Sequence, residues 1–251
     1  MQEPIINIAI TAARKGGETI MRVLDRVDSV KIAEKAPNDF VTEIDRRVES
    51  DIITLIQKSY PDHSILGEEY GEQPGNDYQW IIDPIDGTRN FIHGFPYFSI
   101  SIAFAYKNRI EHGVVYDPVR QELFAASRGK GARLNDRKIR VGKQKQLKTC
   151  LIGTESHGAA TLISKIGSAC GDLRHLGSAA LDLAYVASGR LDGFFGHGLK
   201  IWDIAAGVLL IREAGGIVCD PYGSEDFLKD GDIVAGNPAM LRQLLKLIAE
   251  N

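Results

Sequence analysis

The stretch from Trp80 to Phe91 reads WIIDPIDGTRNF, and it restricts the possible folds more than any other part of the chain. Trp80, Ile81 and Ile82 have the unbroken apolar character of a buried strand end. Pro84 fixes its own φ and biases Asp83 towards extended backbone, so the strand is expected to stop at Asp83. Gly87 and Thr88 then open a short helix. Two carboxylates at the carboxyl end of a strand, followed by free backbone N–H groups, suit a hard divalent cation beside an anion such as phosphate. Taken alone, the same residues also suit an Asp-Gly turn or a helix cap. The rest of the sequence has to decide.

Ile5, Ile8, Ala9, Ala12 and Ala13 recur at helical spacing and predict an opening amphipathic helix. A short strand is expected at Val30 to Ala33, followed by a polar loop, EKAPND, through Asp39. A second helix is expected from about Thr42 to Tyr60, with Ile44, Val48, Ile52, Leu55 and Ile56 on one face and Pro61 as its stop. Asp45 falls in its first turn, where an acid complements the helix dipole in any case. Ser64 to Leu66 reads as a strand leading into GEEYG, Gly67 to Gly71. The polar stretch from there to Gln79 reads as a surface loop whose return can bring Glu68 alongside Asp83. Tyr97 to Tyr106 alternates with period two, and strands at Ile110 to Tyr116 and Glu122 to Ala126 continue an antiparallel meander to about Val141. The basic run RGKGARLNDRKIR is the solvated face of that meander.

From Leu151 the rhythm changes to alternating strands and helices. Strands are expected at Leu151 to Thr154, Leu173 to Leu176 and Gly193 to Phe195, and helices at Ala159 to Ser168 and Ser178 to Ser188. IWDIAAGVLLIREAGG, Ile201 to Gly216, predicts a helix capped by Asp203 and stopped by Gly215 and Gly216. Strands at Ile217 to Cys219 and Ile233 to Ala235, then a helix from Pro238, complete the chain. A meander followed by alternation points to layered helices and sheets in one unit over 1–251, with a metal-site half at 1–145 and an α/β half at 146–251.

Composition serves mainly to exclude. A formal net charge of −3 argues against a dominant nucleic-acid or anionic-membrane surface. Cys150, Cys170 and Cys219 are scattered and odd in number, which fits a reducing compartment better than a disulfide framework. The first residues carry no basic leader before an apolar core, and no apolar run approaches the roughly 18 residues of a membrane span. A cytoplasmic protein with no membrane association is the expectation.

Three motifs in register then settle how the central one is to be read. WIIDPIDGTRNF, the upstream GEE at Gly67 to Glu69 and the downstream WDIAAG at Trp202 to Gly207 together resemble the inositol monophosphatase family in order and spacing. The resemblance runs from the first helix to the last. It implies an α-β-α-β-α sandwich, Mg²⁺-dependent hydrolysis of a small phosphate monoester by a metal-activated water, sensitivity to Li⁺, and a homodimer. Matched residue by residue, it implies one ion on Glu68, Asp83 and the Ile85 carbonyl, a second on Asp83, Asp86 and Asp203, and room for a weaker third near Glu68. Asp45 would pair with Thr88, and Thr88 with Glu68 would position the water. The N–H groups of Gly87 and Thr88 would cradle the phosphate, with Ile85, Asp86 and Asp203 alongside. Arg174 and the turn Gly177-Ser178-Ala179 match positions near the substrate. The ligand set agrees with electrostatics: two unit charges about 4 Å apart repel by about 4 kcal/mol at an effective dielectric of 20, so such a cluster favours cations.

Two departures bear on the substrate. Many inositol-hydrolysing members carry a glutamate six residues before the tryptophan of WD, and here that position is Gly196. The segment between Glu155 and Arg174 is also about ten residues shorter than in many relatives, by the resemblance. Inositol 1-phosphate is the first expected substrate, with nucleotide bisphosphates, histidinol phosphate, sugar phosphates or NADP as alternatives within the family. An alternative of another class is a regulatory or binding protein on a phosphatase fold, acting through a protein partner.

Overall fold

The computed structural model describes residues 4–26, 32–36, 39–156 and 160–249. Helix α1 (Pro4–Leu24) turns Ile6, Ala9, Ala13 and Ile20 inward, as its spacing requires. Strands β1 (Ile32–Ala36) and β2 (Asp39–Thr42) pair antiparallel. The strand expected at Val30 to Ala33 therefore starts outside the described residues, and most of the EKAPND segment lies in strand rather than loop. Helix α2 (Glu43–Ser59) follows, with the Thr42 hydroxyl accepting the N–H groups of Ile44 and Asp45 at its start.

The chain then builds an eight-stranded sheet in the order β10-β9-β8-β7-β6-β5-β3-β4. Its first strands are β3 (His63–Gly67), β4 (Gly71–Gln73) and β5 (Asn76–Asp86), after which comes the short helix α3 (Thr88–Ile92). The meander is β6 (Ser99–Tyr106), β7 (Arg109–Asp117), β8 (Glu122–Ser127), β9 (Gly131–Leu134) and β10 (Arg137–Lys138). The expected loop to Gln79 is corrected here: Gln73 pairs with Ile65 and Gln79 with Ser64, so main-chain pairing on both sides of β3 overrides polar side chains. The strand also does not end at Asp83. It continues to Asp86, opposite Ser99, with an irregularity between Asp83 and Asp86 where Pro84 has no N–H to give the ladder. Lys107-Asn108 and Asn135-Asp136 all have positive φ, the backbone that tight two-residue hairpins require.

The second sheet has the order β12-β11-β13-β15-β14. Its elements run β11 (Leu151–Ser156), α4 (Ala160–Ala169), β12 (Asp172–Arg174), α5 (Ala179–Ala187), β13 (Gly193–His197) and α6 (Ile201–Glu213). They close with β14 (Ile217–Cys219), α7 (Phe227–Asp230), β15 (Ile233–Gly236) and α8 (Pro238–Ala249). The strands β12, β11 and β13 are parallel, and β15 runs antiparallel to both its neighbours.

Three apolar cores stack these elements into five layers. Ile52 and Ile56 of α2 meet Trp80, Ile82, Ile100 and Ile102 on one face of the large sheet. Ile81, Ala103 and Val115 on the opposite face meet α5 and α6 through Leu183, Leu209 and Leu210, and that core reaches Phe194 and Ile233 of the small sheet. The outer face of the small sheet, with Ile152, Phe195 and Val234, is covered by Ile166 of α4 and Met240, Leu241 and Leu244 of α8. Each fully buried side chain of this kind contributes about 1.5–3 kcal/mol. The result is an α-β-α-β-α sandwich. Both central helices start beside the carboxyl end of β5, so three elements meet there. No described helix is long and apolar enough to cross a membrane.

Candidate active site

Everything in the site is referred to the irregular end of β5. The Ile85 N–H donates to Asp83 Oδ1 at 3.0 Å, a turn that Pro84 makes available and that aims the Asp83 carboxylate out of the strand. The Glu68 N–H donates to the Ile82 carbonyl at 3.1 Å and anchors the loop after β3 beside it. Asp86 points the other way, into the start of α5. Its Oδ2 accepts the Ala180 N–H at 2.8 Å and the Ser178 hydroxyl. Asp203 sits in the first turn of α6, where its Oδ2 accepts the Lys200 N–H at 2.7 Å. The helix is thus capped backwards from its third residue, a correction to the expectation that Asp203 is the cap itself.

Asp83, Asp86 and Asp203 each present a carboxylate oxygen, all within 4.8 Å of one another. Burial pushes the Asp83 carboxyl well above the usual carboxylate range, and repulsion from Glu68, Asp86 and Asp203 adds to it. Asp203 is raised for the same two reasons. Asp86 is pushed up to about 7 by burial, against the bonds from Ser178 and Ala180 that favour its ionised form. A cluster of oxygen donors that is costly when ionised fits a hard cation such as Mg²⁺ and does not suit a soft one.

The second group converges from α2. The Thr88 hydroxyl lies 3.0 Å from Asp45 Oδ1 and 3.0 Å from the Ile85 carbonyl. Asp45 Oδ2 accepts the Thr42 N–H at 2.9 Å and the Thr42 hydroxyl at 2.5 Å. Asp45 is therefore both a helix-start residue and a site residue. Burial raises its carboxyl to about 6 despite those donors. Gly87, at φ +100, could not be replaced by an L-residue, because a Cβ there would meet the Gly177 carbonyl at 2.9 Å.

A cavity of about 370 Å³ opens over these residues, lined by Glu68, Asp83, Ile85, Asp86, Gly87, Thr88 and Asp203 on one side. Of the expected substrate-side positions, Gly177 and Ala179 line it, whereas Ser178 is buried and committed to Asp86. Arg174 does not line it; its guanidinium pairs with Asp172 at 2.6 Å. Sequence reasoning missed five other residues. Glu155, His175 and Leu199 form the far wall. Asn90 donates to the Tyr97 and Leu176 carbonyls, each at 2.7 Å, and so ties α3 to the loop before α5. Beneath the site, Glu49 accepts the Glu69 and Tyr70 N–H groups at 2.9 Å each and holds the loop that carries Glu68. An acid on the apolar face of a predicted helix was the available signal for Glu49.

With this geometry in place, four likenesses are informative. The model of the inositol monophosphatase family matches residues 1–251. A Pseudomonas aeruginosa protein named Nus factor SuhB is 49% identical over 261 residues, covering 98% of this chain and 96% of that protein. Among solved structures, the extragenic suppressor protein suhB of Bartonella henselae superposes with a TM-score of 0.96 at 39% identity, over 99% of this chain and 100% of that one. The Thermotoga maritima IMPase superposes with a TM-score of 0.92 at 37% identity, over 99% and 98%.

Proposed function

The chain belongs to the inositol monophosphatase family, and on that premise we propose that it hydrolyses a small phosphate monoester with Mg²⁺, inositol 1-phosphate being the first candidate. One observation carries the reading: three converging carboxylates lie in a single cavity with the Thr88 hydroxyl, which the buried Asp45 backs from behind. Asp83, Asp86 and Asp203, with Glu68 and the Ile85 carbonyl, are the residues that would hold Mg²⁺. When bound, the ion supplies Lewis acidity towards the phosphoryl oxygens and lowers the pKa of a water.

The chain's own residues do the rest. Asp45 Oδ1 accepts the Thr88 hydroxyl proton in a hydrogen bond, which leaves the Thr88 oxygen as an acceptor for a water proton. Glu68, on the same wall of the cavity, is the second acceptor, so two residues from different segments orient one water towards phosphorus. Gly87 and Thr88 present the first backbone of α3 to the phosphate oxygens. Li⁺ inhibition and a homodimer belong to the same reading.

The test is phosphate release from inositol 1-phosphate by purified protein, with and without Mg²⁺. Mg²⁺-dependent release is expected; none from this or any other monoester would overturn the proposal. A second reading is favoured by the name of the 49% identical relative: a Nus-factor role, exercised through a protein partner. A variant that lacks a cluster carboxylate but keeps the fold separates the two readings.

A further inference from the structure

Another cavity lies at the far end of α6 from the carboxylates. It has a volume of about 200 Å³ and opens between the β6–β7 hairpin, the turn after β8, and the helices α6 and α7. Arg212, in its lining, stands in the last turn of α6, whereas Asp203 stands in the first, so about 14 Å of helix separates the two sites. The buried side chains of Val208, Leu209 and Phe227 make an apolar floor. Arg109, Arg128 and Arg212 stand around it, and Glu225 is the one carboxylate in the lining among the described residues.

Each guanidinium is held in place while keeping donors to spare. Arg128 gives Nε, at 3.0 Å, and Nη2 to the Ile110 carbonyl, which leaves Nη1 without a hydrogen-bond partner among the described residues. The turn that follows it is clamped to α6, because Glu213 accepts the Gly129 and Gly131 N–H groups at 2.8 Å each. Arg212 is two-thirds buried and lies over the Phe227 ring, 5.5 Å from its centroid. Its ionic partner is Glu225 at 3.4 Å, longer than an ordinary N–H···O bond, on a side chain that is 83% exposed. Arg109 commits only Nε, to Glu111, and Glu111 also faces Arg128 at 3.5 Å, so one carboxylate serves two guanidiniums.

Partly buried guanidiniums over an apolar floor are best satisfied by an anion that accepts from more than one of them. A carboxylate matches a single guanidinium fork. A phosphate group, with three peripheral oxygens and about 1.5–2 negative charges at neutral pH, accepts from several. The cavity is smaller than the roughly 300–1,000 Å³ of drug-sized sites, so it suits a phosphate carrying few other atoms rather than a nucleotide. We propose that this cleft binds a phosphate group, as inorganic phosphate or a small phosphate ester, at a site separate from the carboxylate cluster. The proposal stands whether or not the chain is a phosphatase.

The experiment is equilibrium dialysis of radiolabelled inorganic phosphate against the full chain with a chelator present. Without Mg²⁺ the carboxylate cluster repels anions, so the cleft is measured by itself. Saturable binding of one phosphate per chain is expected in wild type. Arg212→Met keeps an apolar stem on Phe227 but removes the donors, and it should weaken binding about tenfold or more, the usual worth of a hydrogen bond to a charged group. Arg109→Met, at an exposed position outside the core, should weaken binding severalfold and keeps the test open if Arg212→Met does not fold. Unlabelled methyl phosphate that displaces the label as well as phosphate does assigns an ester, and displacement by phosphate alone assigns the free ion; either supports the cleft. No saturable binding to wild type, undiminished binding in the arginine variants, or displacement by acetate as readily as by phosphate would overturn the proposal.

Discussion

At the scale of single residues, the site divides into groups whose chemistry shows in their letters and groups whose role depends on distant partners. Asp83 is of the first kind: its letters allow a turn or a cap, and the GEE and WDIAAG motifs in register with it make the ligand reading legible. Its carboxylate is held in a cluster with Asp86 and Asp203 that burial and mutual repulsion make unfavourable when ionised. Asp83→Asn is therefore expected to fold as well as wild type while losing Mg²⁺-dependent turnover by more than about a hundredfold, the upper end of what even outer-shell losses cost. Near-normal turnover would sink the metal assignment. The same inactive variant, placed in an Escherichia coli strain lacking its 49% identical Nus factor SuhB, reports on the second reading. Glu49 is of the other kind. It lies among Val48, Ile52 and Ile53 on α2, so the local pattern marks it as out of place, but the N–H groups it holds belong to residues some twenty positions on and its role cannot be read there. Glu155 was equally silent, because only the register of β11 against β13 brings it to the cavity wall.

At the scale of elements, periodicity made the helices and the meander legible, and pairing decided what periodicity could not. The segment from Gly71 to Gln79 has the letters of a loop, yet it contributes an edge strand and the first part of β5, because β3 offers free hydrogen-bonding edges on both sides. Asp203 was correctly tied to the start of α6, but whether it caps from the first position or from the third is set by the φ and ψ of Lys200, which the sequence does not display. Position 196 shows the same limit more sharply. As a letter, Gly196 reads as a missing ligand; in β13 it is a place where a Cβ has no room between Leu199, Ile233 and Phe194. Gly196→Ala is expected to cost about 1–3 kcal/mol in chemical denaturation, the usual range for overfilling a packed core. Leu199 is the neighbour able to yield, and it can yield only into the cavity it lines, so the variant should also bind substrate more weakly. A Gly196→Ala protein as stable as wild type would show that this space is not closed.

At the scale of the whole molecule, the five layers bring buried acids from both halves of the chain to one end of β5, and this links global stability to pH. Burial raises Asp45 to about 6, Glu49 to about 7 and Asp86 to about 7, and it raises Asp83, Asp182 and Asp203 as well. In the unfolded chain these groups release their protons near pH 4. Between about pH 4 and pH 7 the folded, metal-free protein therefore holds protons that the unfolded chain has lost, and its stability falls as pH rises through that window. His63, lowered by burial, and the exposed Asp172, lowered by its bond from Arg174, work in the opposite sense, but they are two groups against six. Mg²⁺ should reverse the trend. It binds the ionised carboxylates, so protons compete with it, and its stabilisation of the folded state grows as the pH rises. In thermal melts, the protein with a chelator should melt lower at about pH 7.5 than at about pH 5. The increment from added Mg²⁺ should be larger at the higher pH. If instead the chelated protein became more stable across that interval, or Mg²⁺ added the same increment at both values, the acids would not share one site in solution. The motif around Asp83 would then have to be read again as the turn and cap that its letters alone allow.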